Sequence, residues 1–288
     1  MHRVWEWLRN ACALARLGAD RPSRRTLLLI SLIAPVLERL WLPFPPVDVT
    51  IHGVSGTIRL RLRDRSDLEA LLHVFVREEY ALPEGLEPRV IVDLGANIGL
   101  ASLYFADRHP QAEIHAFEPD PRSYARLCAN VREHPRIRAY PCALSERPGP
   151  VAFTSHAAHL CSALASRRQD GRRITVPGRD LESLLALVAR PVDVLKFDIE
   201  GAEVFLFRRP ELLSRVGYLL GEVHPDLAGA TLERLIQPLE GIFGFVAVAL
   251  PRGRWLLRGR HLGADASTSG LQRAARSVST APQAAANA

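Results

Sequence analysis

Three side chains that can take up a proton follow two apolar runs in the second half of the sequence. Asp198 and Glu200 come after the run at 192–197, and His224 comes after the run at 218–223. Carboxylates, and an imidazole with a pKa near neutrality, can remove the proton of a substrate hydroxyl. Charged groups at the end of a buried strand are costly unless they are paired or used. We therefore predict that these three residues are catalytic.

Two further glutamates lie beside this group. Glu222 is two residues before His224, and this neighbour favours the imidazole as the base, with a pH dependence near its ordinary pKa of about 6.5. Asp198 remains an alternative base. Glu203 falls at the start of a helical pattern, where the helix dipole favours an acid, so the sequence assigns it a structural role.

A glycine-containing turn forms a second chemical feature. Residues 89–99 read RVIVDLGANIG, an apolar strand that ends in Asp93 and continues through Gly95, Asn97 and Gly99 into a helical pattern. Glycines let a backbone turn sharply and pass close to a ligand. A dinucleotide site requires G-x-G-x-x-G, because its middle glycine makes room for a pyrophosphate. The pattern here is D-x-G-x-x-x-G with Asn97 at the crowded position, which argues against a nicotinamide-dependent oxidoreductase.

An acidic pair follows the next strand along the chain. The apolar segment 112–117 ends in Glu118-Pro119-Asp120, about 20 residues beyond the glycine turn. An acidic residue at this point can bind both hydroxyls of a nucleoside ribose. We therefore predict a nucleoside-containing ligand, with the glycine turn and Glu118 on its two sides.

Alternating strands and helices must position these residues. We predict a doubly wound, Rossmann-like α/β sheet, mostly parallel, with an antiparallel closing strand pair and an N-terminal helix and β-hairpin extension. The hairpin spans 48–63, and a helix over 64–80 with Ser66 or Asp67 as its cap follows it. The predicted strands of the sheet are 90–92, 112–117, 137–144, 192–198 and 218–223, closed by 243–250 and 254–257, and 149–155 is predicted as a short extra strand. The carboxyl ends of parallel strands meet at one edge, so the acids and His224 are expected to converge there.

The composition fits a globular protein with a sizeable core. The chain has 288 residues, of which 24% are charged and 48% apolar, and its net charge is +6. The basic surplus comes from arginine without a nucleic-acid-binding motif, so we predict no nucleic-acid partner. The four cysteines show no C-x-x-C pair and no metal-ligand spacing, which indicates a reducing, cytoplasmic location.

Three segments are predicted along the chain. Residues 1–45 form an N-terminal helical extension, 46–262 the main domain, and 263–288 a tail without periodicity that we expect to be disordered. The polar stretch 155–173, with His156 and His159, is expected to be a lid over the site.

The N-terminal extension contains the most apolar stretch, residues 26–36. It is shorter than the roughly 20 residues that a membrane span needs. Two interpretations remain open for residues 21–42. In the favoured one, this helix packs on the domain or forms a homodimer interface. In the other, it is a peripheral membrane anchor with arginines and Trp41 at the interface.

Five sequence segments, in this order, identify a resemblance. VIVDLGANIGLAS, AFEPDP, ALSERPG, DVLKFDIEGAE and LLGEVHP resemble the FkbM family of S-adenosyl-L-methionine (SAM)-dependent methyltransferases over roughly residues 55–250. The resemblance implies the class I methyltransferase fold, SAM as cofactor, and O-methylation of a small molecule or a sugar. The step at 180–182, Asp-Leu-Glu, departs from the family's usual Thr-Leu-Asp.

The resemblance also implies a role for each site residue. Those that would hold the amino-acid end of SAM are Asp93, Gly95, Asn97 and Gly99. Those at the ribose and adenine are Glu118, with the adjacent Pro119 and Asp120, and Ala143. Those on the reaction side are Asp198, Glu200 and His224.

Alternatives to this assignment stay open. Asp198, Glu200, Glu222 and His224 are of the right type to bind a metal that polarises the acceptor, but no spacing demands one, so we predict no metal. A SAM-fold protein that binds without catalysis is the main functional alternative, and the intact acids at all three strand ends argue against it.

Overall fold

The computed structural model describes residues 2–40, 42, 44–155, 163–164 and 172–263. The chain begins with helices α1 (His2–Leu17) and α2 (Arg21–Arg39), followed by the hairpin of β1 (Val47–His52) and β2 (Thr57–Leu62). The predicted hairpin is therefore confirmed. Predicted features outside the described residues are Trp41, His156, His159 and the tail beyond 263.

Helix α2 packs on the hairpin rather than standing apart from it. Its buried residues Leu27, Ile30 and Ala34 share one apolar core with Val49 and Ile51 of β1. The backbone N–H of Thr50 also donates to Ser23 Oγ at 2.9 Å. The extension thus packs against its own chain, as the favoured interpretation predicted. None of the helices in the described part of the chain is both long and apolar enough to cross a bilayer.

The helix after the hairpin has an earlier N-cap than predicted and ends sooner. Asp64 is its N-cap, and Asp67, one of the two predicted caps, is instead the third helical residue, so that the two close a capping box. Helix α3 (Arg65–Leu71) then widens into a π turn, Leu72–Val76. The buried Arg126 side chain donates to Asp67 from a later helix, which adds a tertiary reason for this start.

A seven-stranded sheet forms the centre of the molecule, in the order β12-β13-β11-β10-β3-β4-β5. Strands β3, β4, β5, β10 and β11 are parallel to one another, and the last two strands of the chain close the edge in antiparallel pairing. This is the predicted doubly wound α/β fold. The strands are β3 (Val90–Leu94), β4 (Glu113–Phe117), β5 (Ile137–Tyr140), β10 (Val192–Phe197), β11 (Val216–Val223), β12 (Phe243–Ala249) and β13 (Trp255–His261).

Both faces of the sheet are covered, which explains the unbroken apolar runs in its strands. Ile91 belongs to the core on one face, whereas its neighbours Val90 and Val92 belong to the core on the other. The helices that follow the strands are α4 (Leu100–Arg108), α5 (Pro121–Val131), α6 (Leu181–Ala186), α7 (Glu203–Phe207), α8 (Pro210–Leu213), α9 (Pro225–Ala228) and α10 (Leu232–Ile236).

The register brings the strand ends level. Leu94 pairs with both Phe117 and Phe197, and Phe197 pairs with Gly221. The residues that come next in each strand therefore meet at one edge of the sheet, as expected for the carboxyl ends of parallel strands.

Residues 149–155 form the predicted extra strand, but the second, four-stranded sheet to which this strand belongs was not predicted. The run 137–144 is broken at Pro141, because proline has no N–H for the ladder, and only its end forms β6 (Ala143–Leu144). This strand joins β7 (Gly149–Ser155), β8 (Ala163–Leu164) and β9 (Arg172–Arg179) in the order β6-β9-β7-β8. Strand β9 was not predicted because its arginines, Pro177 and Gly178 interrupt the alternation of apolar and polar residues. Of the predicted lid, residues 156–162 and 165–171 lie outside the described part of the chain.

Candidate active site

An open cleft lies at the carboxyl edge of the main sheet, with one wall from the second sheet. It takes residues from the ends of β3, β4 and β10 and from the segment around β6. The side chains and backbone that line this cleft belong to Leu94, Gly95, Asn97, Phe117, Glu118, Pro119, Cys142, Ala143, Leu144, Phe153, Asp198, Ile199, Glu200 and Ala202. Seven of the predicted site residues are in this set: Gly95, Asn97, Glu118, Pro119, Ala143, Asp198 and Glu200.

The two glycines of the turn are required by the protein's own packing. Gly95 has a φ of +75°, and a Cβ there would lie 1.9 Å from the backbone oxygen of Asp198. Gly99, at φ +91°, would bring a Cβ within 2.7 Å of Leu127 on α5. Gly95 therefore lets the turn pass against the end of β10, whereas Gly99 lets α4 start against α5 and is not in contact with the cleft.

Asn97 lines the cleft and has an unused acceptor. Its backbone is left-handed, with φ +51°, a conformation that asparagine tolerates better than most residues. Its Oδ1 is buried and has no hydrogen-bond partner among the described residues. Buried polar atoms are nearly always satisfied, so this oxygen is suited to an N–H or O–H group of a ligand.

Asp93 has a protein partner instead of facing the cleft. Its Oδ1 lies 2.9 Å from Lys196 Nζ, and its Oδ2 accepts from Ser102 Oγ at 2.6 Å. Lys196 also donates to the backbone oxygen of Gly95 at 2.9 Å. Burial opposes the charge of Lys196, but Asp93 and Asp198 raise its pKa. The predicted contact of Asp93 with a ligand is replaced in this structure by an ion pair that holds the turn from behind.

Glu118 connects the turn to the next strand. Its two carboxylate oxygens accept the backbone N–H groups of Asn97 and Asp120, each at 2.8 Å. Burial raises the pKa of Glu118 to about 7, although these two N–H groups act in the opposite direction. The carboxylate lines the cleft, where its remaining lone pairs can accept hydroxyl groups.

The neighbours of Glu118 divide between helix and cleft. Asp120 caps α5 by accepting from the backbone of Arg122 and Ser123, and it is not among the lining residues, so its predicted place at the cofactor is not seen. Pro119 and Ala143 do line the cleft. Phe153 of β7 also lines it; the strand was predicted, but nothing in the sequence indicated that it pairs into a second sheet beside the cleft.

The cleft is also lined by two predicted catalytic carboxylates. Asp198 follows β10 directly and its side chain is 27% exposed, and Glu200 lies in the turn before α7 with its side chain 11% exposed. Glu200 adopts a left-handed φ of +50°, and Gly201 after it has a φ of +95°. These turns direct the chain from the strand end into the helix.

His224 is brought to the same place but is fully enclosed. Its Nδ1 lies 2.9 Å from Glu203 Oε1, and its Nε2 lies 3.7 Å from Glu200 and 3.9 Å from Asp198. Burial disfavours a charged ring, but the hydrogen bond to Glu203 and the surrounding carboxylates raise the pKa of His224 to about 10. The pKa near 6.5 that the sequence predicted therefore does not hold. An imidazole that keeps its proton near neutral pH cannot accept the proton of a substrate hydroxyl.

Two assignments of neighbouring glutamates change. Glu203 is 0% exposed and holds His224, so its role exceeds the dipole effect that the sequence suggested. Glu222, the sequence neighbour, pairs with Arg254 of the segment before β13 and lies 3.9 Å from His224 Nε2. Burial and the charge of Asp198 raise the pKa of Glu222 to about 8, although Arg254 opposes this.

The Methyltransferase FkbM domain model matches residues 93–237, which span the turn, Glu118, Asp198 and His224. The chain belongs to the FkbM methyltransferase family. It is 32% identical over 205 residues to the 31-O-demethyl-FK506 methyltransferase FkbM of Streptomyces tacrolimicus, covering 58% of this chain and 78% of that protein. The cofactor of the family is SAM.

Two other relatives are longer than the matched region. Methyltransferase 1 of Beauveria bassiana is 26% identical over 158 residues, 47% of this chain and 64% of that protein. The AMB antimetabolite synthetase AmbE of Pseudomonas aeruginosa is 28% identical over 266 residues, 88% of this chain but only 12% of that protein. The chain thus spans less than two thirds of either relative.

The cleft fits the cofactor of FkbM methyltransferases. Asn97 offers an unsatisfied acceptor, Glu118 offers acceptors for ribose hydroxyls, and Ala143, Leu144 and Phe153 form a largely apolar wall. A mostly apolar cleft with a few convergent polar groups is the usual form of a cofactor site.

Proposed function

We propose that the chain transfers a methyl group from SAM to a hydroxyl oxygen of a small molecule or sugar. The observation that carries this proposal is the cleft itself, which is lined by Asn97 and Glu118 and by two carboxylates, Asp198 and Glu200. Asn97 and Glu118 suit a nucleoside, and Asp198 and Glu200 suit an acceptor that must lose a proton.

When bound, SAM supplies a methyl group on a positively charged sulfur; the acceptor oxygen bonds to the methyl carbon, the carbon–sulfur bond breaks, and S-adenosylhomocysteine leaves. The chain's own residues have three tasks. Asn97 and Glu118 hold the donor, the turn fixed by Lys196 and Asp93 keeps them in place, and the cleft aligns the acceptor with the methyl group.

The hydroxyl proton passes to a carboxylate of the cleft. Asp198 and Glu200 both line it, and carboxylates accept protons from a group that becomes acidic as its oxygen bonds to carbon. His224, 2% exposed and not a lining residue, acts behind them through its contacts with both. The name of the relative FkbM, a 31-O-demethyl-FK506 methyltransferase, supports an oxygen acceptor.

Calorimetry with SAM, S-adenosylhomocysteine and NAD tests the donor part of the proposal. We expect both sulfur compounds to bind and NAD not to bind. Tritiated SAM with a panel of methyl glycosides and simple polyols then tests transfer, read as labelled product. NAD binding without SAM binding would support the oxidoreductase alternative and overturn the proposal.

Asp198→Asn tests the acceptor end. With a glycoside that the wild type methylates, we expect kcat to fall roughly 10²–10⁴-fold while the Kd for SAM changes little. Glu240→Gln removes an exposed carboxyl outside the cleft and is the matched control. SAM binding with no transfer to any hydroxyl in the panel, and with transfer to an amine or thiol instead, would contradict the oxygen acceptor.

A further inference from the structure

Asp198, Glu200 and His224 form a cluster whose spacing suits one ion. Each can offer one ligand atom, and these atoms lie within 4.8 Å of one another. His224 Nε2 is 3.7 Å from Glu200 Oε2 and 3.9 Å from Asp198 Oδ1. Both separations are too long for a hydrogen bond. Two atoms that bind the same ion at about 2.0–2.2 Å each can be up to about 4.4 Å apart, so a small closure of the pair farthest apart is enough.

The imidazole is held in the orientation that a metal ligand needs. Glu203 Oε1 lies 2.9 Å from His224 Nδ1, and both side chains are almost fully buried. With its Nδ1–H donated to Glu203, His224 turns Nε2 toward Asp198 and Glu200, and an ion that binds there displaces the Nε2 proton. In the described part of the chain, Nε2 makes no hydrogen bond of its own. Histidines that bind metals usually have such a carboxylate on the other ring nitrogen.

Among the described residues, Glu222 lies near one side of the cluster, and the cleft borders the other side. Glu222 is also near Nε2, at 3.9 Å, but Arg254 pairs with it. Asp198 and Glu200 line the cleft, so an ion between them would border the space in which an acceptor can bind. Three protein ligands with an open position are the usual arrangement of a catalytic metal.

We propose that Asp198, Glu200 and His224 bind one divalent cation of the Mn²⁺ type, with Glu203 as a positioning residue. One imidazole nitrogen with two carboxylates favours such an ion over Mg²⁺, which prefers oxygen ligands alone. The prediction of no metal from sequence considered spacing along the chain, whereas the cluster joins residues of two different strand ends.

The consequence for catalysis rests on the proposed function. An acceptor hydroxyl that coordinates the ion has a lower pKa, as water does on other divalent ions, and its proton is released more readily to a carboxylate or to water. Metal binding itself does not depend on that function and can be measured without an acceptor.

The experiment loads EDTA-treated wild-type protein with Mn²⁺ and measures bound ion by equilibrium dialysis and electron paramagnetic resonance. We expect one tightly bound Mn²⁺ per chain, with the nitrogen-14 coupling of a directly bonded imidazole in the electron spin-echo modulation. This spectroscopic result uses the unmodified protein, so it does not depend on whether a variant folds. Absence of a stoichiometric ion, or an ion without nitrogen coupling, overturns the proposal.

Conservative variants test the three carboxylates of the proposed site. Asp198→Asn and Glu200→Gln should each weaken Mn²⁺ binding at least as much as Glu203→Gln, which we expect to cost roughly 10–100-fold as the loss of an orienting partner. The exposed Glu240→Gln should leave the affinity unchanged. Equal Mn²⁺ affinity in all four folded variants would overturn the site.

Measurements of SAM binding and methyl transfer on the same samples separate this proposal from the proposed function. Stoichiometric Mn²⁺ with nitrogen coupling supports the site even if no hydroxyl is methylated. Methyl transfer that proceeds at full rate in EDTA, in protein that binds no Mn²⁺, overturns the site and leaves the proposed function standing.

Discussion

At the residue scale, Glu118 combines a structural and a binding task. It accepts backbone N–H groups from Asn97 and Asp120, and it lines the cleft with a pKa near 7. Burial favours the protonated form of this carboxyl, whereas ribose hydroxyls that donate to it favour the ionised form. Folding and cofactor binding therefore depend on pH in opposite directions at this one residue.

We expect SAM affinity to rise as the pH increases from about 5 to about 7, and to level off above that. Binding to the ionised form releases a proton below a free-state pKa of about 7, with a slope of at most roughly tenfold per pH unit. Calorimetry at several pH values measures this. Glu118→Gln should bind SAM more weakly and remove most of the slope, while Glu240→Gln should keep it.

The pH dependence of folding stability at Glu118 has the opposite sign. The folded-state pKa of about 7 is above the ordinary value of 4.5, so the contribution of Glu118 is fully present below 4.5 and is lost as the pH rises through 7. Thermal unfolding without cofactor should show this loss in the wild type and less of it in Glu118→Gln. An equal pH dependence in both proteins would contradict the assignment.

Lys196 gives a second prediction at this scale. Its ammonium group pairs with the fully buried Asp93, so Lys196→Met leaves a charge without its partner in the core. We expect the free energy of unfolding to fall by about 3–5 kcal/mol. Urea unfolding measures this, and adding Asp93→Asn to the variant should recover part of the loss. A loss of less than about 1 kcal/mol, typical of surface pairs, would contradict a buried role.

At the element scale, helix α2 has two unlike sides. Leu27 and Ile30 are buried against the hairpin, whereas Leu28, Leu29 and Val36 are exposed to solvent, Leu29 to 58%. The buried side attaches the extension to the domain. Because the other side is exposed, membrane contact or homodimer formation by residues 21–42 stays a prediction, which vesicle flotation and light scattering can check.

Two leucines on α2 test this division. Leu27→Ala should lower the free energy of unfolding by about 2–5 kcal/mol, because it leaves a cavity in the core shared with β1. Leu29→Ala, the matched exposed position, should change it by no more than about 0.5 kcal/mol. Chemical unfolding of both variants gives the comparison, and similar losses would contradict the orientation of the helix.

The second sheet is the element that completes the cleft. β7 supplies Phe153 to one wall, and β6 supplies Ala143 and Leu144, so the cleft is built by two sheets. A change at Phe153 is therefore expected to affect cofactor affinity.

At the scale of the whole molecule, the sheet is buried on both faces and its functional residues lie at one edge. The cores on the two faces fix the strand ends, and these ends hold the turn, Glu118 and Asp198 in register. A ligand bound at this edge therefore stabilises the whole fold rather than one loop.

We expect SAM to raise the melting temperature of the full chain. At a free concentration of 100 times its Kd, binding to the folded state alone adds about 2.7 kcal/mol. Differential scanning fluorimetry with SAM, S-adenosylhomocysteine and NAD measures this, and only the first two should have an effect. A shift with NAD of the same size would point to non-specific stabilisation.

The sequence by itself determined the fold class and most of the site. Unbroken apolar runs, turns and intervals identified the parallel strands, and a parallel sheet must bring their carboxyl ends to one edge. That is why Gly95, Asn97, Glu118, Asp198 and Glu200 could be placed at the ligand edge from their positions alone, and the cleft contains all five.

Only the tertiary structure decided which charged groups pair. Asp93 is matched by Lys196, 103 residues later, and His224 by Glu203 rather than by its sequence neighbour Glu222. The energy of a charge depends on burial and on partners within a few ångströms, and neither is set by spacing along the chain. For the same reason the wall from β7 and the grouping of Asp198, Glu200 and His224 within reach of one ion emerge only when the strands are assembled.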